Sequence, residues 1–272
     1  MIHKLYPYGK KKAFNVTYDD GVLQDVQFVN LLNKYHLKGT FNLNSGLMEN
    51  GFEWTHECGM VIKRLKADAV VELYEGHEVA SHTLMHPYME ELTKEELIYQ
   101  LATDKANLEK IFGREIKGFA VPFIYYSKLI EECVKECGFE YGRISEESLS
   151  FCPQNDFYNL KATIFHCDGK LEDLTKQFVK TDEEMAVFQI VGHSYDLDVE
   201  GKWDMMEGIF EMISEQSDIL PMTTIELVDY LKAMDKATYT SEYIENNSDI
   251  SLWFDIDNKV LELKPNERLY VS

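Results

Sequence analysis

Short strand-like runs of β-branched and aromatic residues alternate with helical patterns along most of the chain. The strand-like runs are KAFNVTY, GTFNL, HEVASH, KGFAVP, FEYGRI and MAVFQIVGHS. The helical segments are VLQDVQFVNLLNKYHL, DAVVELYEG, KEELIYQLATDKANLEKIF, SKLIEECVKECG, LEDLTKQFVK, WDMMEGIFEMIS and IELVDYLKAM. This alternation predicts a parallel α/β fold. About seven strand–helix units in roughly 235 residues indicate a distorted (β/α) barrel, for which about 250 residues is typical.

Local signals place several boundaries of these elements. Thr93 and Thr223 are each followed three positions later by a glutamate, which predicts a capping box at the start of a helix. Gly113 predicts the end of the helix that Thr93 begins. The tail DISLWFDIDNKVLELKPNERLYVS alternates apolar and polar residues, which predicts a β-hairpin or a three-stranded sheet. We therefore expect a barrel domain over residues 1–236 and a short C-terminal β appendage over residues 237–272.

The composition limits the kinds of molecule that the protein can bind and the cellular compartment in which we expect it. The 48 acidic and 27 basic residues give a net charge of -21, which disfavours nucleic acid or an anionic membrane because phosphate binding needs basic patches. The chain has no run of about 18 apolar residues and its N-terminus lacks the apolar segment of a signal peptide, so we expect a cytoplasmic protein without a transmembrane helix. Five cysteines without a zinc-type pair fit reduced thiols. The oligomeric state is left open.

Titratable side chains recur where predicted strands end. The first strand ends in Asp19 and Asp20, HEVASH leads into His82 and His86, and MAVFQIVGHS contains His193. In parallel α/β folds the active site forms at the C-terminal ends of the strands. These residues are therefore predicted to meet in one site.

The spacing of the two histidines suits a metal ion. Side chains four residues apart face the same side of a helical turn, so His82 and His86 can share one cation. Neutral imidazoles suit zinc, cobalt or nickel better than magnesium. The alternative is a pair of surface or core histidines at the top of a helix. A carboxylate from another strand end would complete a set of three ligands and leave positions open, as catalytic sites require.

The adjacent aspartates also fit a metal site. One carboxylate can bind the cation while the other remains free as a base, and the cation offsets the repulsion between them. The alternative is that an aspartate caps the following helix. That alternative accounts for one carboxylate and not for two.

Several motifs resemble those of the polysaccharide deacetylases, the NodB-homology domains of carbohydrate esterase family four. TYDDG and SHTLMHP resemble the family's first two motifs, usually T-F-D-D-G and H-[ST]-x-x-H-P, and GHEVAS matches the approach to the second. GFAVPF is similar to the third motif and VGHSYD to the last. The resemblance covers roughly Ala13 to Met234 and leaves the C-terminal strands outside.

The resemblance implies a role for each matching position. Asp19 would be the general base, His193 the general acid, and the backbone N–H of Phe123 a donor to the oxyanion. The implied ligands of a divalent metal, most simply zinc with cobalt or nickel as alternatives, are Asp20, His82 and His86. The implied substrate is an acetylated saccharide.

One departure from the family pattern concerns the charge beside the base. Many members carry an arginine where this chain has Ala120, and that arginine pairs with the base aspartate. We hypothesise that Arg143, near the end of the next strand, supplies the missing charge to Asp19. The alternative is a structural arginine at the surface.

A second departure concerns the substrate cleft. The family's aspartate–tryptophan motif is replaced by FHCD, in which His166 is predicted to line the pocket, and Asp196 is predicted to orient His193. Tyr125, Tyr126 and Tyr195 flank the motifs and are predicted to contact sugar rings.

These observations leave three hypotheses for function. The first is a metal-dependent deacetylase of an N- or O-acetylated saccharide. The second keeps the fold and the metal but changes the substrate to another amide, including cyclic amides. The third is a sugar-binding protein without catalysis, which the presence of all five motif aspartates and histidines disfavours.

Overall fold

The computed structural model describes residues 2–48 and 51–270, which contain seventeen strands, nine α-helices and two short 3-10 helices. The strands are β1 (Ile2–Leu5), β2 (Lys12–Asp19), β3 (Gly39–Leu43), β4 (Glu53–Thr55), β5 (Val61–Lys63), β6 (Glu78–Ser81), β7 (Gly118–Ala120), β8 (Tyr141–Glu147), β9 (Leu160–Ala162), β10 (Ile164–Phe165), β11 (Ala186–Gly192), β12 (Ile219–Pro221), β13 (Thr238–Tyr239), β14 (Tyr243–Glu245), β15 (Leu252–Ile256), β16 (Lys259–Leu263) and β17 (Arg268–Tyr270). The helices are α1 (Asp25–Lys34), α2 (Ser45–Met48), α3 (Ala67–Leu73), α4 (Lys94–Phe112), α5 (Lys128–Glu136), α6 (Leu171–Lys180), α7 (Ser194–Glu200), α8 (Trp203–Ser214) and α9 (Thr224–Lys236), with 3-10 helices at Pro7–Gly9 and Met89–Glu91.

The central sheet is parallel throughout and nearly closes into a barrel. Its order is β10-β11-β2-β3-β6-β7-β8-β9, and β12 also pairs with β2. Strand β9 pairs with β8 and continues almost directly into β10, which pairs with β11. One segment of chain therefore joins the two edges of the sheet. This architecture confirms the predicted distorted (β/α) barrel.

Strand β2 shows how the sequence builds the barrel and the site together. All eight of its residues are buried, as expected for a parallel strand that is covered on both faces. Phe14 contacts aromatic rings of β11 and α8. The alternate residues carry polar side chains, and Thr17 accepts a hydrogen bond from Asn42 Nδ2 at 2.8 Å. Asp19 continues this polar row at the C-terminal end of the strand.

Helix boundaries follow the predicted capping signals. Both capping boxes are present, with the Thr93 and Thr223 side chains accepting from the backbone N–H of the glutamate three residues later. Gly113 ends α4 with φ 64°, a left-handed conformation that suits glycine. Helices α6 and α8 begin and end where the sequence pattern predicted.

The C-terminal strands form small antiparallel sheets. Strands β15 and β16 make the predicted hairpin, whose turn residues Asp257 and Asn258 both have positive φ. Strand β1 pairs with β15, so the N-terminal strand belongs to this sheet, which the sequence analysis had not predicted. Tyr230 of α9 joins the two parts, since its hydroxyl donates to Leu5 O at 2.6 Å and accepts from Trp253 N at 3.1 Å. The division at residue 236 stays a prediction.

Two further predictions concern the helices and the thiols. No helix within residues 2–48 and 51–270 is both long and apolar enough to cross a membrane. All five cysteines carry free thiols, as predicted.

Candidate active site

Three predicted metal ligands converge at the C-terminal ends of β2 and β6. Asp20 Oδ1 lies 3.6 Å from His86 Nε2 and 4.0 Å from His82 Nε2. A set of ligand atoms from these three residues lies within 4.8 Å of one another. Asp20 and His82 are buried and His86 is largely buried. The arrangement places one carboxylate and two imidazoles around a common point.

The hydrogen bond of His82 leaves its Nε2 atom free to bind a metal. Its Nδ1 lies 2.8 Å from the carbonyl oxygen of Ala120. Because a carbonyl only accepts, Nδ1 carries the proton and Nε2 presents a lone pair. Burial lowers the pKa of His82 to about 3, and burial also lowers the pKa of His86. Both rings are therefore neutral at physiological pH, the form that binds metals.

The histidine pair is not presented by a helical turn, so that part of the prediction was wrong. His82 and His86 lie in the loop after β6, and their ring centroids are 4.9 Å apart. Two residues of this loop have left-handed backbone conformations, Thr83 with φ 69° and His86 with φ 52°. Asp20, directly after β2, also has a positive φ of 86°. Non-glycine residues rarely adopt this conformation, and such residues often cluster at functional sites.

Asp19 is paired with Arg143 in the barrel interior. Arg143 Nη2 contacts Asp19 Oδ1, and the two side chains are 2% and 7% exposed. Asn42 Nδ2 donates to the same oxygen at 2.7 Å. Burial alone would raise the pKa of Asp19, but the charge of Arg143, followed by those of His82 and His193, holds it below its usual value. The carboxylate is therefore ionised.

The position of Arg143 explains how it reaches Asp19. Ala120 of β7 and Arg143 of β8 are register partners on neighbouring strands. The arginine that contacts Asp19 therefore comes from one strand further along than Ala120. Arg143 is the third residue of β8 and is 1% exposed, so it lies neither at the strand end nor at the surface.

Asp20 also has its own arginine, Arg64, which the sequence analysis missed. Arg64 Nη2 donates to Asp20 Oδ1 at 2.9 Å, and Nη1 donates to the Asp20 carbonyl and to Asn44 Oδ1. Burial would raise the pKa of Asp20, but Arg64 and then His193 hold it well below its usual value. Each aspartate of the doublet is therefore neutralised by a separate arginine, so a metal is not needed to offset their repulsion.

His193 lies between the aspartate doublet and Asp196. It follows β11 directly, and its Nδ1 lies 3.0 Å from Asp196 Oδ2. Burial would lower the pKa of His193, but the hydrogen bond to Asp196 and the charges of Asp20 and Asp19 raise it to about 9. The imidazole is therefore protonated at neutral pH and is suited to donate a proton.

His166 lies behind Asp196 and is fully buried. Its Nε2 is 3.4 Å from Asp196 Oδ2, and its Nδ1 is 2.6 Å from the hydroxyl of Tyr18. Cys167 lies close enough for the three side chains to form a second group of metal-ligand type. The His166 side chain has no exposed surface, so its neighbours separate it from the cleft. Its contact with substrate stays a prediction.

Aromatic rings lie against two of the site histidines. On one side, Phe123 packs edge-on against His86 and stacks on Tyr88 with centroids 4.1 Å apart. On the other, Tyr195 stacks on His193 at 5.0 Å and meets Trp54 of β4 edge-on at 5.5 Å. These rings border the approach to Asp20 and Asp19.

The remaining predicted residues differ in exposure. Tyr125 is 44% exposed, while Tyr126 is half-buried and donates its hydroxyl to Tyr158 O at 2.6 Å. Phe123 has φ 56°, and its backbone N–H meets no acceptor within the described ranges. That N–H is therefore free to donate to a bound group.

A sequence comparison decides the family. A family model described as polysaccharide deacetylase matches residues 7–142, half of the 272-residue chain. The chain belongs to the polysaccharide deacetylase family. No curated protein sequence matches it.

Solved structures of deacetylase-type proteins share the fold of this family member. A protein from Mycobacterium smegmatis assigned to the polysaccharide deacetylases is 14% identical with a TM-score of 0.62, covering 88% of this chain and 96% of that one. The family 4 esterase domain of a xylanase from the hindgut metagenome of Trinervitermes trinervoides is also 14% identical, with a TM-score of 0.54 and coverages of 82% and 92%.

Within this deacetylase fold, sequence reasoning missed Arg64 and Asn44. Both reach the site from the excursion between β3 and β6, where Trp54 and Ile62 pair across the β4–β5 hairpin. The only local signal was the alternation in EWTHECGMVIK around a Cys–Gly turn. That signal predicts a hairpin but not which of its residues points at Asp20.

Proposed function

We propose that this chain is a metal-dependent hydrolase that removes acetyl groups from an N- or O-acetylated saccharide. The observation that carries the proposal is the convergence of Asp20, His82 and His86 beside two other groups, the ionised Asp19 and the protonated His193. Membership of the polysaccharide deacetylase family supports the substrate class.

The ligand set fits a divalent transition metal, with zinc as the first choice and cobalt or nickel as alternatives. Two neutral imidazoles and one carboxylate form a common catalytic zinc set, which leaves a coordination position open. The hydrogen bond from His82 to Ala120 O is the orienting contact that metal-bound histidines usually make. A cation held by these three residues would polarise the acetyl carbonyl and lower the pKa of a water molecule.

Asp19 is assigned the role of general base. Its carboxylate is buried beside the ligand set and is kept ionised by Arg143, so it can accept a proton from the attacking water. Asn42 and Arg143 both donate to Oδ1, which fixes the carboxylate and leaves Oδ2 to take the proton.

His193 and Phe123 are assigned to the other side of the reaction. His193 carries a proton at neutral pH and would donate it to the departing amine or alcohol. The free backbone N–H of Phe123 would donate to the oxygen on which negative charge develops, a contribution on the order of a few kcal/mol.

The aromatic borders of the site suit a sugar. Tyr195 and Trp54 on one side, and Tyr88 and Phe123 on the other, offer apolar ring faces next to hydrogen-bonding groups. Tyr125 adds an exposed ring near Phe123. Tyr126 is a weaker substrate contact, because its hydroxyl is already engaged with Tyr158 O.

Acetate release from a panel of N- and O-acetylated oligosaccharides tests the proposal. The wild-type protein supplied with zinc is expected to release acetate, and Asp19→Asn is expected to release at least about 100-fold less, since general base catalysis contributes about 10²–10⁴-fold. Lys110→Ala, on the surface of α4, is the control variant. Turnover of non-acetyl amides alone would favour the second hypothesis, and saccharide binding without any turnover would favour the third.

A further inference from the structure

We propose that His166 and Tyr18 are positioning residues for the general acid, acting through Asp196 on His193. The proposal rests on the proposed function for the role of His193, but the arrangement itself stands on two hydrogen bonds and one 3.4 Å contact among four buried or half-buried side chains. It gives His166 a task other than the contact with substrate predicted from sequence.

The hydrogen-bond directions follow from the chemistry of each group. Asp196 is ionised, because its contacts with His166 and His193 outweigh burial and hold its pKa well below the usual value. An ionised carboxylate only accepts, so the nitrogens that face it, His166 Nε2 and His193 Nδ1, both carry protons. Burial lowers the pKa of His166, so its ring is neutral and Nδ1 accepts from the Tyr18 hydroxyl.

The chain of contacts therefore runs in one direction. Tyr18 donates to His166 at 2.6 Å, His166 faces Asp196 at 3.4 Å, and Asp196 accepts from His193 at 3.0 Å. The 3.4 Å contact is longer than a usual N–H···O bond. In the described part of the chain, His166 Nε2 has no partner that meets the usual distance and angle limits of a hydrogen bond. Asp196, at 3.4 Å, is the acceptor that its N–H faces.

The backbone around His166 is built to hold the ring there. Its backbone N donates to Val191 O at 2.9 Å, which ties the residue to β11 two positions before His193. A Cβ on residue 192 would lie 2.3 Å from His166 Nδ1, so glycine at that position makes room for the imidazole. A buried ring that merely filled space would need neither the paired hydroxyl of Tyr18 nor this clearance.

Asp196 needs such a support because it stands in the first turn of the short helix α7, which begins directly after His193. Residues 193 and 196 are separated by less than one turn of α7, which by itself leaves the carboxylate free to rotate away. A second donor, from His166 directly after β10, would hold Asp196 in the rotamer that accepts from His193 Nδ1 and so leaves Nε2 facing away from Asp196.

The experiment uses full-length protein with ¹⁵N-labelled histidine and compares wild type with His166→Phe, His166→Gln and Tyr18→Phe. Wild type is expected to show a downfield His193 Nδ1–H resonance, which His166→Phe loses or shifts upfield. His166→Gln retains a donor and is expected to restore it. His77→Phe, which removes a buried hydrogen-bonded histidine elsewhere, controls for loss of packing and should leave the resonance in place. Tyr18→Phe provides a second arm should His166→Phe fail to fold.

Kinetics and metal binding complete the test. For His166→Phe, kcat is expected to fall about 10–100-fold, the usual effect of removing an orienting partner, with KM changed less than about twofold. An unchanged His193 resonance in both His166→Phe and Tyr18→Phe would overturn the proposal. So would a second bound zinc ion in wild type that His166→Phe loses, because the His166, Cys167 and Asp196 group would then be a metal site. An inactive wild type with the expected resonance changes would refute the proposed function and leave the positioning arrangement supported.

Discussion

The buried ion pair between Arg143 and Asp19 allows a quantitative test of how the site is held. With the side chains 2% and 7% exposed, removing either one leaves an uncompensated charge in the barrel interior. Such a loss costs about 3–5 kcal/mol. Arg143→Met keeps the length of the side chain without its charge. Because Asn42 still donates to Asp19 Oδ1 in that variant, we expect the lower end of the range, about 3 kcal/mol.

A double-mutant cycle isolates the interaction. Urea unfolding of metal-free protein would be measured for wild type, Arg143→Met, Asp19→Asn and the double variant. Each single variant strands one charge, whereas the double variant strands none. The double variant is therefore expected to lose at least about 1 kcal/mol less than the sum of the two single losses. Losses that add to within about 0.5 kcal/mol would refute the interpretation that the two charges depend on each other.

The same substitution has a consequence for catalysis. Without Arg143, burial dominates and the pKa of Asp19 rises, so the proposed general base is protonated at a higher pH. The acid limb of the kcat/KM profile is expected to move to higher pH in Arg143→Met. A profile that superimposes on the wild type would mean that Arg143 does not keep Asp19 ionised.

Three further predictions concern other parts of the molecule. Trp54→Ala is expected to raise KM for an acetylated oligosaccharide several-fold with little change in kcat, because stacking of about 1 kcal/mol is lost, and an unchanged KM would remove Trp54 from the cleft. Burial raises the pKa of Asp25 to about 7, so its folded form keeps a proton that the unfolded chain releases near pH 4, and the free energy of unfolding should fall as pH rises between about 4 and 7. Asp25→Asn should flatten this fall by on the order of 1 kcal/mol per pH unit in urea titrations, and parallel profiles would contradict it. Thr93→Ala removes the cap of α4 and should cost about 1 kcal/mol by the same assay, whereas no loss would mean the box is not stabilising.

The barrel was predictable because its signals are local. β-branched and aromatic runs mark the strands, apolar residues at helical spacing mark the helices, and capping boxes and glycines mark some helix ends, so β2, α4 and α6 could be predicted from short windows. The joining of β9 to β10 could not be read, because strands of three and two residues have no periodicity. The pairing of β1 with β15 links residues about 250 positions apart and leaves no local trace.

The candidate site was predictable where a residue stands at the end of a strand. Asp19, Asp20, His82 and His193 could be grouped because parallel strands deliver their C-terminal ends to one edge of the barrel. Arg64 could not be placed, since its contact with Asp20 depends on how a hairpin folds back over the barrel. The sequence did suggest Arg143 as the partner of Asp19, but its position as the register partner of Ala120 depends on strand pairing, which the sequence does not specify at single-residue resolution.

The central claim is that a metal held by Asp20, His82 and His86 is required for deacetylation. The most direct measurement is acetate release by one preparation before chelation, after removal of the metal, and after addition of one equivalent of zinc. We predict loss of activity on chelation and recovery with zinc, with no recovery in His86→Ala. Full activity in protein shown to be free of metal would contradict the account.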